Sequence, residues 1–142
     1  MDTERTLPHD EAAERSVIGS MLLFAPDVLP LVGDLGVDDF YLPHHREAWA
    51  AIMSLSGRRM PIDVISVGDE LKAAGMLARF PGGWNPWAAG AAGSVSLWQH
   101  AGNHTAVIRA KATLRSLIAL AVEVTTRHTP LYACSFAPRM LM

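Results

Sequence analysis

The chain has 142 residues, half of them hydrophobic and 18% charged, which suits a single domain with its own core and excludes disorder over most of its length. A net charge of −2 argues against a free-standing nucleic-acid binder, because such proteins draw much of their affinity from phosphate neutralisation. One cysteine, Cys134, allows neither an internal disulfide nor a cysteine-rich zinc site.

The opening residues, Met1 to Thr6, are polar and lead into no apolar run of the signal-peptide kind. Residues 1–9 read as an extended lead-in through Pro8, and Asp10 as the cap of a first helix with Glu11 and Glu14 in its early turns. Ala13, Val17, Ile18, Met21 and Leu22 recur at helical spacing and define its core face. Ala25-Pro26 is expected to end that helix. Asp27 would then cap a short second one carrying Val28, Leu31, Val32 and Leu35, with Pro30 tolerated in its first turn.

Phe40-Tyr41 forms a hydrophobic plug ahead of a third helix, with Pro43 near the first position. His45, Trp49, Ile52 and Met53 share a face, His45 is expected against Phe40 or Trp49, and Ser56-Gly57 stops the helix. Gly57-Arg58-Arg59 reads as an exposed loop. Asp63 caps a fourth helix with Val64, Val67 and Leu71 inward, and Gly75 supplies a left-handed end. The Pro- and Gly-rich stretch Pro81 to Trp87 predicts a turn and then a short Ala-rich helix.

From His104 a clear pattern returns. Val107, Ala110, Leu114, Leu117, Ala121 and Val124 alternate in three- and four-residue steps, a heptad-like seam that calls for a partner helix. Arg109, Lys111, Arg115 and Arg127 lie off it. His128-Thr129-Pro130 is expected to break this helix and leave residues 128–142 as an irregular or disordered tail. The class is all-α: a bundle over 10–102, then a long helix over 103–127. The most apolar segment, Leu117 to Val124, is far below the roughly 20 residues needed to cross a bilayer. A cytoplasmic location without a membrane partner is the expectation.

Chemistry is sparse. His100 and His104 are four apart, as zinc ligands on a helix are, but no His-Glu-x-x-His pattern follows, and an ordinary surface pair is the simpler reading. No serine sits in a Gly-x-Ser-x-Gly elbow, and the carboxylate pairs Asp38-Asp39 and Asp69-Glu70 fall at helix ends or solvent faces. There is no Gly-x-x-x-x-Gly-Lys-Ser/Thr loop to cradle ATP phosphates. No catalytic, cofactor or metal residue is assigned. Arg58, Arg59, Arg109, Lys111 and Arg115 support the alternative of a nucleic-acid-binding module.

A co-linear series of short elements resembles the N-terminal domain of the replicative DNA helicase of bacteria and phages, the DnaB family. The series begins at Leu7-Pro8-His9-Asp10 and continues through Ala13-Glu14-Arg15-Ser16-Val17-Ile18-Gly19, with Ala12 where the family pattern has Glu. Phe40, Tyr41, Pro43 and His45 follow, then Pro61-Ile62-Asp63, Leu71, Gly75 and Gly82-Gly83. Ile108-Arg109-Ala110-Lys111-Ala112 leads into the closing helix. Trp87 to Trp98 departs from the pattern by a one-residue slip, and the tail beyond Arg127 matches nothing in it.

The resemblance implies a helical bundle followed by one arm of a helical hairpin, without the second arm or the ATPase domain, as in a truncated gene or a stand-alone domain. It implies assembly with other copies as a dimer or higher oligomer through the long helix. It also implies docking of a DnaG-type primase or a helicase loader, with DNA reached only indirectly. Val107, Ala110, Leu114, Leu117, Ala121 and Val124, with Arg109, Lys111 and Arg115, are the candidate interaction residues.

Overall fold

The computed structural model describes residues 6–141, with side chains for 6–127. The described residues form five α-helices, with 3-10 turns in every connection except that between the second and third, and contain no strand. They divide into two units, His9–Ala112 and a second made of Met1–Pro8 with Thr113–Met142. The bundle therefore keeps the first three turns of the last helix, where the sequence places its boundary at 102/103.

In the first unit, α1 spans Glu11–Val32. Asp10 caps it by accepting the Ala13 N–H at 2.9 Å, which satisfies one of the donors a helix start leaves free. The break expected at Ala25-Pro26 falls one residue earlier, as a kink at Phe24 (φ −135°, ψ 43°). Pro26 and Asp27 thus lie inside the second segment, so Asp27 is not its cap. Pro30 sits beyond the first turn and deprives the Pro26 carbonyl of its usual donor, and the segment runs on only to Val32. Val28, Val32 and Leu35 are buried as the spacing predicts, whereas Leu31 is exposed. α1 is the one described helix long and apolar enough to cross a membrane by length and composition; half of that apolar window is buried in the bundle core.

α2 spans Pro43–Gly57, with Pro43 at its first position. Gly57 does not supply the left-handed residue that ends it. That residue is Arg59 (φ 57°), and the Met60 N–H bonds back to the Leu55 carbonyl at 2.9 Å, completing a Schellman closure. α3 spans Val64–Ala73. Its capping box pairs the Asp63 carboxylate with the Ser66 N–H at 2.7 Å and the Ser66 hydroxyl with the Asp63 N–H at 2.9 Å. Its other end is a second Schellman closure through Gly75 (φ 72°), with the Met76 N–H on the Leu71 carbonyl at 2.9 Å.

α4 spans Trp84–Gly93 and is the Ala-rich helix expected after the Gly-Gly turn. It lies so close to α1 that a Cβ on Gly19 would stand 2.6 Å from the Ala91 carbonyl carbon. Trp49, Phe40, Ile18, Met21, Ile52 and Leu71 are the largest side chains sealed in the core. Indole N–H groups tie connections to it: Trp49 Nε1 donates to the Leu35 carbonyl at 2.9 Å, and Trp84 Nε1 to the Val64 carbonyl at 2.8 Å.

α5 spans Ala101–Leu141. The break expected at His128-Thr129-Pro130 is absent from its backbone. An interior proline removes one hydrogen bond and costs about 3 kcal/mol, which a long helix can absorb without ending. Side chains from 128 onward, Cys134 among them, lie outside the described residues. In the second unit, Arg115 Nη1 donates to the Pro8 carbonyl at 2.9 Å, and Arg127 pairs with Glu123 one turn earlier at 2.7 Å.

Candidate interaction surfaces

α5 carries two different lines of residues. Ala101, Thr105, Ile108 and Arg115 are buried, and their separations of four, three and seven put them on one helix face. The seam read from the sequence lies on another face. Val107 is half-buried and packs on the bundle core, Ala110 is exposed, and Leu114, Leu117 and Val124 are 45%, 57% and 46% exposed. Ala121 is exposed too, and Ile118, one residue from the seam, widens it. At 100° per residue, Leu114, Leu117, Ile118, Ala121 and Val124 fall within about a third of the helix circumference, and the exposed Leu120 and Val122 widen this apolar face on either side.

The basic candidates are largely engaged. Arg109 pairs with Asp34, which raises the guanidinium's pKa and, by the same hydrogen bond, lowers that of the Asp34 carboxyl; both groups are solvent-exposed. Arg58 pairs with Glu70. Arg115, placed on a solvated face by its spacing, is buried and bonded to the Pro8 carbonyl at 2.9 Å. Lys111 is half-buried, and Arg59 is exposed at the end of α2.

The polar centre of the bundle is a network the sequence does not announce. Glu14, 1% exposed, accepts the His45 Nδ1–H at 2.8 Å through one oxygen and the Tyr41 N–H at 2.9 Å through the other. It thereby fastens α1 to the start of α2. The His45 ring does not rest on Phe40 or Trp49 as expected; it packs on Trp87, with ring centroids 5.4 Å apart, and on His44 at 4.6 Å. Its Nε2 is buried without a partner among the described residues. His9 stacks on Tyr41 at 4.2 Å, and Arg46 Nε donates to the Phe40 carbonyl at 2.7 Å, so the Phe-Tyr plug is held on both sides. Burial lowers the pKa of His44, with the neighbouring His45 acting in the same direction and Glu11 and Glu14 opposing.

The signal for Glu14 was present in the spacing. It stands three, four and seven residues before Val17, Ile18 and Met21, so it lies on the apolar stripe of α1. A carboxylate in that position requires buried donors. Among the described residues nothing in this network resembles a reacting centre: no nucleophile stands beside His45, and Glu14 and His45 are sealed from solvent. Elsewhere, His100 and His104 line a common pocket with Asp10. Among the described residues no three His, Cys, Asp or Glu groups are placed to hold a metal ion.

Comparison with known proteins agrees with this arrangement. The family described as "DnaB-like helicase N terminal domain" matches residues 6–109. The chain is 35% identical over 123 residues to the replicative DNA helicase DnaB of Mycobacterium leprae, covering 87% of this chain and 20% of that protein. It is 37% identical over 122 residues to the same-named protein of Leifsonia xyli, covering 86% of this chain and 26% of that one. The chain thus spans about a fifth to a quarter of the length of these relatives. The crystal structure of the N-terminal domain of DnaB helicase from Mycobacterium tuberculosis superposes with a TM-score of 0.79 at 35% identity, over 85% of this chain and 83% of that one.

Proposed function

The chain belongs to the DnaB-like helicase N terminal domain family, and we propose that within it this protein is an interaction module and not a catalyst. It joins copies of itself into a dimer or larger assembly through α5 and presents a docking surface for a DnaG-type primase or a helicase loader during DNA replication in the cytoplasm. Unwinding belongs to the ATP-dependent part of a helicase subunit, for which this sequence has no phosphate-binding loop.

The observation that carries this reading is the stripe of Leu114, Leu117, Ile118, Ala121 and Val124, solvent-exposed on a helix whose other face supplies buried side chains. Soluble helices hide such stripes against a partner, because each leucine contributes about 1.5–3 kcal/mol when fully buried. A second copy of the same helix is a self-complementary partner, as two-fold assembly requires.

The nucleic-acid reading draws on Arg58, Arg59, Arg109, Lys111 and Arg115. Arg58 and Arg109 already meet carboxylates, and Arg115 meets a backbone carbonyl. DNA contact is therefore indirect, through the assembly. Gel filtration of the chain with and without the helicase-binding domain of a primase tests the docking half of the proposal. Co-elution that a Leu117→Ser substitution abolishes through loss of assembly supports it. Separate elution at every concentration, together with a binding affinity for DNA that falls steeply with salt, would replace it with the nucleic-acid reading.

A further inference from the structure

Arg15, in the second turn of α1, is half-buried, yet among the described residues it meets neither a carboxylate nor a hydrogen-bond acceptor. Its Nε is fully buried without a partner. A buried N–H left without an acceptor is costly, and on a cationic side chain it calls for an anion. The pocket it lines has a volume of about 300 Å³ and lies where the start of α1, the α4–α5 connection and the start of α5 come together.

The polar lining is uneven in charge. Asp10 is its one carboxylate, and the Asp10 Oδ1 is already occupied by the Ala13 N–H at 2.9 Å. The other polar residues that line it are Arg15, Ser16, Ser94, Ser96, His100 and His104, two of them imidazoles and one a guanidinium. The Ser94 hydroxyl is spent on the Ala91 carbonyl at 2.7 Å and offers no donor. A lining that offers guanidinium, hydroxyl and imidazole groups from three segments suits a tetrahedral oxyanion better than a planar carboxylate, which has only two oxygens to share. The volume sits at the low end of small-ligand sites, so a nucleotide or a partner helix does not fit it.

We propose that this pocket binds a phosphate-class oxyanion, either inorganic phosphate or a small phosphate monoester, with Arg15 as the principal ligand and Ser16, Ser96, His100 and His104 completing the shell. The bound anion ties the first turns of α5 to the start of α1. This proposal is independent of the assembly reading, since every residue in it belongs to the bundle unit.

Gly90 provides a test that leaves the fold in place. Arg15 Nη2 occupies the space where a Gly90 side chain would stand, so Gly90→Ala pushes the flexible end of the guanidinium aside without touching the backbone contacts. Nuclear magnetic resonance titration of the full chain with inorganic phosphate, at constant ionic strength against chloride, should give saturable shifts at the Arg15 Nε–H and at both imidazoles. Gly90→Ala and His104→Gln should each weaken binding about tenfold or more, the loss expected for one charge-assisted contact, while thermal melts show both variants folded. Glycerol phosphate and acetate form separate arms. Tighter binding of the monoester identifies an organic phosphate, binding of inorganic phosphate alone identifies the free ion, and either upholds the site. Unsaturable shifts, acetate bound as well as phosphate, or unchanged affinity in folded Gly90→Ala would overturn it.

Discussion

Replacing Glu14 by alanine removes both acceptors of the polar network at once. The Tyr41 N–H, at 2.9 Å, and the His45 Nδ1–H, at 2.8 Å, each lose their partner. A buried donor left unsatisfied costs about 1–3 kcal/mol, and two are left so here. No discount for solvent screening applies, because the two side chains are 1% and 0% exposed. Glu14→Ala should therefore cost about 3–5 kcal/mol, a large part of the roughly 5–15 kcal/mol by which a domain is stable. Glu14→Gln keeps one acceptor but turns an amide N–H toward the other donor, so it should cost less, about 1–3 kcal/mol. Urea denaturation followed by circular dichroism measures both, at one fixed protein concentration because assembly would add to the apparent stability. A double-mutant cycle of Glu14→Gln with His45→Phe should return a coupling of at least about 0.5 kcal/mol. Glu14→Ala within about 0.5 kcal/mol of the parent, the range of an ordinary surface change, would refute the reasoning.

Three further outcomes follow from the geometry. Gly19→Ala should destabilise by about 3 kcal/mol or more, because its Cβ would stand 2.6 Å from the Ala91 carbonyl carbon; Ala91→Gly, which removes only a side chain, should not restore the melting temperature. Arg59→Gly should raise stability by about 0.5–1 kcal/mol, since it relieves a left-handed side chain (φ 57°) at some cost in unfolded-chain entropy; a lowered denaturation midpoint would contradict this. Burial lowers the pKa of His44 from its ordinary value of 6.5, so the fold favours the neutral ring; the stability this gives is complete above pH 6.5 and is lost as pH falls through the lowered value. Melting temperature should fall on acidification from pH 6.5 down to that lowered value, less steeply in His44→Gln than in the parent.

Helix starts were legible because their chemistry is local. Asp10, Pro43 and Asp63 each act within three residues of themselves, and Gly75 ends α3 through its own backbone. Departures come where a distant or steric fact decides. The end of α2 rests on a left-handed Arg59, which no rule of composition selects while Gly57 stands two residues earlier. His45 finds its acceptor 31 residues away on α1, and its ring neighbour on α4, so local spacing could not choose between Trp49 and Trp87. Arg115 reads as solvated by its charge, but it stands seven residues after Ile108 on the buried line of α5. The exposed stripe itself was visible as a heptad pattern, while the burial of Val107 at its beginning depends on the bundle core.

The measurement that bears most directly on the interaction role is the mass of the chain by light scattering across concentration, alongside Leu117→Ser. Leu117 is 57% exposed in the single chain, so the substitution should change monomer stability by no more than about 0.5 kcal/mol. In a two-fold contact it is lost twice, at about 1 kcal/mol or more each time, which weakens association by at least tenfold. A mass that climbs from monomer to dimer or beyond in the parent, and stays monomeric over the same range in Leu117→Ser, is the expected result. A parent that remains monomeric at every concentration, or a variant that assembles as well as the parent, would contradict assembly through α5.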